Sequence, residues 1–303
     1  MRILLPTDLS ACSLAAIEAT KQMQYGANDE LKVITVVDLF EPLLAFDQTK
    51  AMEKADLNVQ RVVEEIKAKL PKTKVTGDVF VGYPDQVIIQ TAIDFKADLI
   101  VLGSHGRTGL TRFLWGSVSR AVLLDSPCAV RIVRTGTNPA SANHRVLIAL
   151  DESQNAKDSF YILQHILKAS WPSGTLFHCI SVLDQEYKYM LFDPTLASEL
   201  AAQMEETTFQ VIRALHVHVE ELNSVFGAGC ATYEVVKGEP RTGIMEKAKE
   251  WKADAIVMGT HARRGIDEIV MGSVADAISS HAPCSVEIVR QGVRKPKAMH
   301  IIM

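Results

Sequence analysis

The sequence predicts an α/β protein built twice over: two tandem domains, each a parallel sheet covered by helices on both faces. Three observations carry this. Short β-branched, apolar segments alternate with stretches whose apolar residues recur at helical spacing, the mark of a parallel sheet with helical crossovers. Residues 101–134, VLGSHGRTGLTRFLWGSVSRAVLLDSPCAVRIVR, return 156 residues later as VMGTHARRGIDEIVMGSVADAISSHAPCSVEIVR. The chain of 303 residues is long enough for two domains of ordinary size.

In the first half, RILLP (2–6) reads as a short strand, with Ser10 placed to cap the helix after it. LKVITVVDLF (31–40) is a β-branched strand, and residues 50–70 form a long amphipathic helix. KVTGDVFVG (74–82) is a strand, and residues 84–97 are a helix with proline in its first turn. DLIVLG (98–103) is a strand, SVSRAVLLD (117–125) a helix and CAVRIVR (128–134) the fifth strand. The second half repeats this order. With Gly82 set against Gly238 and read without gaps to Arg134 and Arg290, 23 of 53 pairs are identical. RILLPTDLS (2–10) matches RVLIALDES (145–153), pairing Asp8 with Asp151 at a shorter offset, so the second half carries about 13 extra residues before Gly238. The domains are therefore expected over 1–134 and 145–290. The polar, turn-rich TGTNPASANH (135–144) is the linker, and 291–303 a tail. His300 lies 156 residues after His144, so the tail is either a further edge strand or a frayed end.

Composition narrows the function. The chain is 48% hydrophobic and 22% charged, with net charge -4 and no strong basic field, which argues against DNA as a partner. Five cysteines, an odd number without a Cys-x-x-Cys pair, fit a reducing compartment better than a disulfide framework or zinc cluster. The start MRILLPTD lacks the features of a signal peptide, and no apolar run is long enough to span a membrane; a cytoplasmic location is the expectation.

The chemistry concentrates in the loop after the fourth strand. Gly103 ends that strand, Gly106 and Gly109 lie in the loop, and Gly116 with Ser117 opens the next helix. Ligands of open α/β sheets bind beyond the carboxyl ends of the strands, at the topological switch point. Glycines let a ligand approach the backbone, while a helix start presents free N–H groups and partial positive charge; together these suit phosphate. Ser117 and Ser119 add hydroxyls. The spacing Gly-x2-Gly-x9-Gly-Ser is neither a Walker A loop nor the dinucleotide fingerprint. A tight strand–helix connection with no ligand is the plainer alternative.

The PTD start, the GSHGRTG…GSVS loop, the SPCAVRIVR ending and the duplication resemble the universal stress protein family in its tandem two-domain form, over nearly the whole chain. The resemblance implies two Rossmann-like domains of strand order 3-2-1-4-5, and ATP, with Mg2+, as the cofactor of binding members. Carried over, Asp8 and the backbone near Val36 meet adenine, and Pro6 and Thr7 belong to the same cofactor site. Gly103, Gly106, Arg107, Gly109, Gly116, Ser117, Val118 and Ser119 meet ribose and phosphates. It also implies that fifth strands pair between domains, giving an internal pseudo-dimer, and that chains form a homodimer. Asp8 is equally suited to a turn or helix cap, and both roles are compatible.

The second copy departs from the pattern. Gly106 becomes Ala262, GLTRFLW becomes GIDEIVM with Asp267 and Glu268, and Pro6 and Thr7 become Ala149 and Leu150. A weaker site is expected there, using Asp151, Val182, Gly259, Gly272, Ser273 and Val274.

No catalytic residue is assigned, and no side-chain metal ligand is expected. His105 and His261 have no partner spaced for a triad, and Arg107 and Arg263 touch phosphate or face solvent. Cys128 and Cys284 read as small core residues. His216 and His218 are two apart in a helical pattern and do not share a face. The leading expectation is an ATP-binding stress-response regulator with as yet undefined protein partners. The alternatives are a slow ATP hydrolase on the same fold and a nucleotide-independent interaction module. The segment 185–200, rich in aromatics, is the candidate for partner specificity.

Overall fold

The computed structural model describes residues 1–38, 48–104, 116–135, 144–151, 156–168, 171–183, 194–260 and 271–290. Its first half runs β1 (Arg2–Pro6), α1 (Ala11–Lys21), β2 (Glu30–Asp38), α2 (Gln48–Lys69), β3 (Lys74–Gly82), α3 (Pro84–Phe95), β4 (Leu99–Gly103), α4 (Ser117–Asp125) and β5 (Ala129–Val133). The second half repeats it: β6 (Arg145–Ala149), α5 (Ala156–Lys168), β7 (Leu176–Leu183), α6 (Pro194–Phe226), β8 (Ala231–Lys237), α7 (Pro240–Glu250), β9 (Ala255–Gly259), α8 (Ser273–His281) and β10 (Ser285–Val289).

The elements follow local chemistry. Ser10 caps α1, its hydroxyl accepting the Ser13 N–H at 3.3 Å. In α2, Ala55, Val59, Val62, Val63 and Ile66 recur at helical spacing and are all buried. α3 has proline in its first turn and stops at Phe95, two residues short of the expected end. Lys96 there turns left-handed (φ 51°), and its N–H reaches the Ala92 and Ile93 carbonyls. β5 begins at Ala129 rather than Cys128 because Ser126 holds Cys128 in a turn. The Cys128 N–H donates to the Ser126 hydroxyl oxygen at 3.2 Å, and that hydroxyl donates to the Cys128 carbonyl at 2.9 Å. The extra length of the second half falls largely in α6, 33 residues against 22 in α2.

All ten strands join one sheet of order β3-β2-β1-β4-β5-β10-β9-β6-β7-β8. Each half has the order 3-2-1-4-5 implied by the resemblance, and every pairing within a half is parallel. Among the described residues the halves meet through one antiparallel pairing, β5 with β10, in the register Val286–Ile132, Glu287–Arg131, Ile288–Val130. Two strands that would be exposed edges thus cover each other.

The two faces differ. Beneath α3, α4, α7 and α8 a single core crosses the seam, joining Ile88, Val122, Val130 and Ile132 to Ile244, Ile278, Val286 and Ile288. On the opposite face there are two cores. One lies under α1 and α2, around Ile17, Val33 and Val63; the other lies under α5 and α6, around Ile162, Phe177 and Leu215. Strand alternation sends Arg131 and Glu287 to this second face, into the interval between those cores.

None of the five cysteines is in a disulfide. Burial pushes the Cys128 and Cys284 thiols up to about 12, so both are inert core residues.

Candidate functional site

In each half the chain leaves the first strand to one side of the sheet and the fourth to the other, so a crevice opens between their carboxyl ends. In the first half that crevice lies between β1 and β4, where Leu4 stands opposite Ile100.

The β1 exit is tightly specified. The Thr7 N–H continues the ladder to the Ile34 carbonyl at 2.8 Å. The Thr35 hydroxyl, from β2, donates to the Thr7 carbonyl at 2.8 Å. The Thr7 hydroxyl donates to that of Ser13 and accepts the Leu9 N–H at 3.1 Å. The Asp8 carboxylate accepts the Ser10 N–H at 2.9 Å, an Asx turn that delivers the chain into α1. These bonds hold Leu9 at φ 59°, a left-handed conformation costly for a side chain of its size. Asp8 is therefore a turn former here, partly exposed at the crevice.

At the β4 exit, Gly103 has a packing reason. A methyl group placed on it would lie 2.4 Å from the Cys12 carbonyl carbon and 2.6 Å from the Ser13 nitrogen, so only glycine lets α1 settle on β4. The Gly103 carbonyl accepts the buried Ser119 hydroxyl at 2.9 Å, and the Gly116 N–H donates to the Ser104 carbonyl at 3.0 Å. These two bonds pin the start of α4 against the end of β4. Ser117 is exposed in the first turn, beside Val118, and Gly116 is the N-cap with an ordinary φ of −64°. Backbone conformation therefore does not demand glycine at 116. The first-turn N–H groups of a helix have no partner within it, so this end can receive an anion.

The structure thus brings Pro6, Thr7, Asp8, Gly103, Gly116, Ser117, Val118 and Ser119 to one crevice, with Val36 on neighbouring β2. The Ser119 hydroxyl is engaged with Gly103, and Ser119 acts as a brace. Gly106, Arg107, Gly109 and His105 lie outside the described residues, as do His261, Ala262, Arg263, Gly265, Asp267, Glu268, 136–143, 184–193 and the tail. Three residues of the exit went unread in the sequence: Ser13, Thr35 and Ser104. The Ser10-x-x-Ser13 spacing and a lone hydroxyl near the end of the apolar strand VITVV were the available signals.

The second crevice, between β6 and β9, keeps the frame and loses the polar detail. The Leu150 N–H reaches the Ile180 carbonyl at 2.9 Å as that of Thr7 reaches Ile34, but Leu150 has no hydroxyl and is buried in the core. Among the described residues, Gly259 faces the end of the Ile162 side chain, 3.2 Å from its would-be methyl. Ala275 stands where the first half has Ser119, so the brace to the fourth strand is absent. Asp151, Val182, Gly272, Ser273 and Val274 occupy positions like those of their counterparts, with Gly272 as N-cap at φ −64°.

A doubly wound α/β protein, duplicated in one chain and with a switch-point crevice in each half, is the class that fold and site define. The model of the Universal stress protein family matches residues 1–134 and 142–290, and the chain belongs to that family. Universal stress protein Rv2005c of Mycobacterium tuberculosis is 25% identical over 298 residues, spanning 95% of this chain and 94% of that one. Universal stress protein Sll1388 of Synechocystis sp. is 29% identical over 156 residues, 48% of this chain and 97% of its own length. A crystal structure of a universal stress protein from Archaeoglobus fulgidus superposes with a TM-score of 0.65 at 25% identity, covering 96% of this chain and 98% of that one. Among the described residues no helix is long and apolar enough to cross a membrane.

Proposed function

We propose that the protein is an ATP-binding regulator of the stress response that acts through nucleotide-dependent contacts with other proteins, and that its first half holds the better site. The observation that carries this is the convergence of Asp8, Gly103 and the Gly116-capped start of α4 on one switch-point crevice. Adenine lies toward Asp8 and the β2 backbone near Val36. Ribose and phosphates lie toward Gly103, the glycines at 106 and 109, Arg107 and the first turn of α4. The donors at that turn fit a phosphate chain, which itself holds the Mg2+, so no protein carboxylate is needed for the metal. The unbraced, less polar exit of the second half supports its weaker affinity. Domains over 1–134 and 145–290, a cytoplasmic setting and a homodimer of whole chains belong to the same proposal.

The experiment is to denature the purified protein and identify the released nucleotide and its ratio to chain. The expected result is one ATP per chain, lost in Gly116→Trp and kept in Gly272→Trp. Both glycines have backbone angles open to tryptophan, so the substitutions block space without straining the chain. Two ATP per chain overturns the preference for the first half. ADP alone points to hydrolysis. No nucleotide released, and no heat on ATP titration, makes the glycine loop structural and the protein a nucleotide-independent interaction module.

A further inference from the structure

The helix that opens on the first crevice is charged differently from its repeat copy. α4 carries no acidic residue in its first turn and no basic residue in its last, and it ends on Asp125. Its amino end is therefore open to an anion, while its carboxyl end has no cation of its own to answer the helix dipole. α8 is the reverse. Asp276 sits in its first turn, where it opposes an anion, and His281 sits in its last.

The cation that α4 lacks comes from the other half. Arg290, the residue after β10, is 8% exposed, and its Nη2 donates to the carbonyls of Leu123 and, at 3.2 Å, Leu124. These belong to the last turn of α4, where a helix leaves carbonyls without partners of its own. The amino end of the same helix is held within the first half, by the Ser119 hydroxyl on the Gly103 carbonyl and the Gly116 N–H on the Ser104 carbonyl. α4 has nine residues and is about 13 Å long. A helix this short moves as one piece, so what fixes its carboxyl end also aims its first-turn N–H groups. The reciprocal contact, Arg134 on the Ser279 and Ser280 carbonyls, fixes α8 beside the second crevice.

We propose that Arg290, from the second half, is a positioning residue for the nucleotide site of the first. By holding and neutralising the carboxyl end of α4 it keeps the first turn of that helix set for phosphate, so one half of the chain tunes the affinity of the other. This role rests on the first crevice being the ATP site. The coupling is reciprocal: bound nucleotide strengthens the hold of Arg290 on α4 by the same factor by which that hold strengthens nucleotide binding.

The test is calorimetric titration of the whole chain and its variants with ATP and Mg2+, beside their thermal midpoints. Arg290→Met removes the charge and keeps much of the length. It should weaken ATP binding about fivefold, the scale of one cation at a helix carboxyl end. Arg134→Met makes the matching loss at α8. It should lower the thermal midpoint comparably, yet change ATP affinity by less than about twofold. Arg290→Lys restores a cation and should recover part of the loss. In the unsubstituted, 15N-labelled protein, ATP should shift the Nε–H resonance of Arg290 across the length of α4, a readout that needs no variant to fold. A parent protein that binds no ATP overturns the nucleotide reading and this role with it. If the parent binds ATP, equal affinity in Arg290→Met overturns this role alone and leaves the site standing. So does an equal weakening in Arg134→Met, no recovery in Arg290→Lys, or an Arg290 resonance unmoved by saturating ATP.

Discussion

Arg131 and Glu287 occupy the same position in the two repeats, 156 residues apart, and face each other directly across the seam between β5 and β10. The Arg131 Nε donates to one oxygen of the fully buried Glu287 carboxylate, and His165 Nε2 lies 2.6 Å from the other. Around them the repeat contacts are reciprocal. Arg134 donates to the Ser279 and Ser280 carbonyls at 3.0 Å, at the end of α8; its counterpart Arg290 donates to the Leu123 and Leu124 carbonyls at the end of α4. Cations at helix carboxyl ends also complement the helix dipoles. A seam between two first halves would bury two arginines face to face, and one between two second halves two glutamates. The charges thus favour first half against second, within one chain.

Breaking this pair is expected to be costly. Arg131→Glu leaves two buried carboxylates and should lower stability by about 3–5 kcal/mol, seen as a lower urea midpoint. The exchange R131E with E287R restores opposite charges. It should recover part of the loss, not all of it, because Trp171 and His165 remain placed for the original polarity. A double variant no more stable than either single one would show that the pair is not coupled in this way.

The same carboxylate sets the acid limit. Burial by itself would raise the Glu287 carboxyl, but the Arg131 charge and the His165 hydrogen bond outweigh it and hold the group down to about 2, against an ordinary 4.5. A depressed carboxyl contributes stability above its unfolded value and loses it as pH falls from 4.5 toward 2, on the order of 3 kcal/mol in all. His178 acts earlier. Burial lowers its pKa from 6.5, despite Glu234 nearby, and its ring stacks on Trp251 at 5.3 Å. The unfolded chain takes up that proton first, so stability is complete above pH 6.5 and starts to decline below it. Urea midpoints from pH 7 to 3 should fall in two stages. Glu287→Gln should shrink the lower one, and His178→Phe the upper, which His144, also lowered by burial, shares.

Gly103 and Gly259 hold equivalent positions and should respond unequally to a single methyl group. At 103 the methyl meets α1 backbone at 2.4 Å, and backbone cannot turn aside. Gly103→Ala should lower stability by about 3 kcal/mol, at the upper end for overpacking, and displace α1 from β4. At 259 the neighbour among the described residues is the tip of Ile162 at 3.2 Å, which can move, so Gly259→Ala should cost less than about 1 kcal/mol. Thermal midpoints of the two variants decide it; equal losses would mean that the close approach of α1 is not what fixes glycine at 103.

Most of the frame is legible in the sequence because it rests on period and punctuation. The alternation of LIVLG and AVRIV with helical segments and the returning GSV and PC pairs identify elements to within a residue or two. The details set by tertiary contact are not. Gly103 looks like a ligand glycine beside its loop, and only the approach of α1 reveals its packing role. Ser119 looks like a phosphate donor until its hydroxyl is seen on the Gly103 carbonyl. The difference between CAVRIVR and CSVEIVR, Arg131 against Glu287, was open to view. Its meaning depends on the antiparallel register that places each repeat's copy opposite the other.

Asp8 combines a structural bond with its proposed contact to adenine, and the two are separable through Ser10. Asp8 accepts the Ser10 N–H at 2.9 Å, and Ser10 in turn caps α1 through the Ser13 N–H at 3.3 Å. Removing either acceptor leaves one backbone donor of this turn without its partner. Asp8→Ala and Ser10→Ala should therefore lower stability by similar amounts, about 1 kcal/mol each. Their effects on nucleotide should differ. Asp8→Ala also loses a hydrogen bond to ligand and should weaken ATP binding by about tenfold, the equivalent of one charge-assisted bond. Ser10→Ala keeps the carboxylate and should change affinity by less than about twofold. Titration of both variants with ATP, beside their urea midpoints, makes the comparison. If Ser10→Ala weakens ATP binding as much as Asp8→Ala does, the carboxylate serves the turn alone and the adenine contact belongs to backbone.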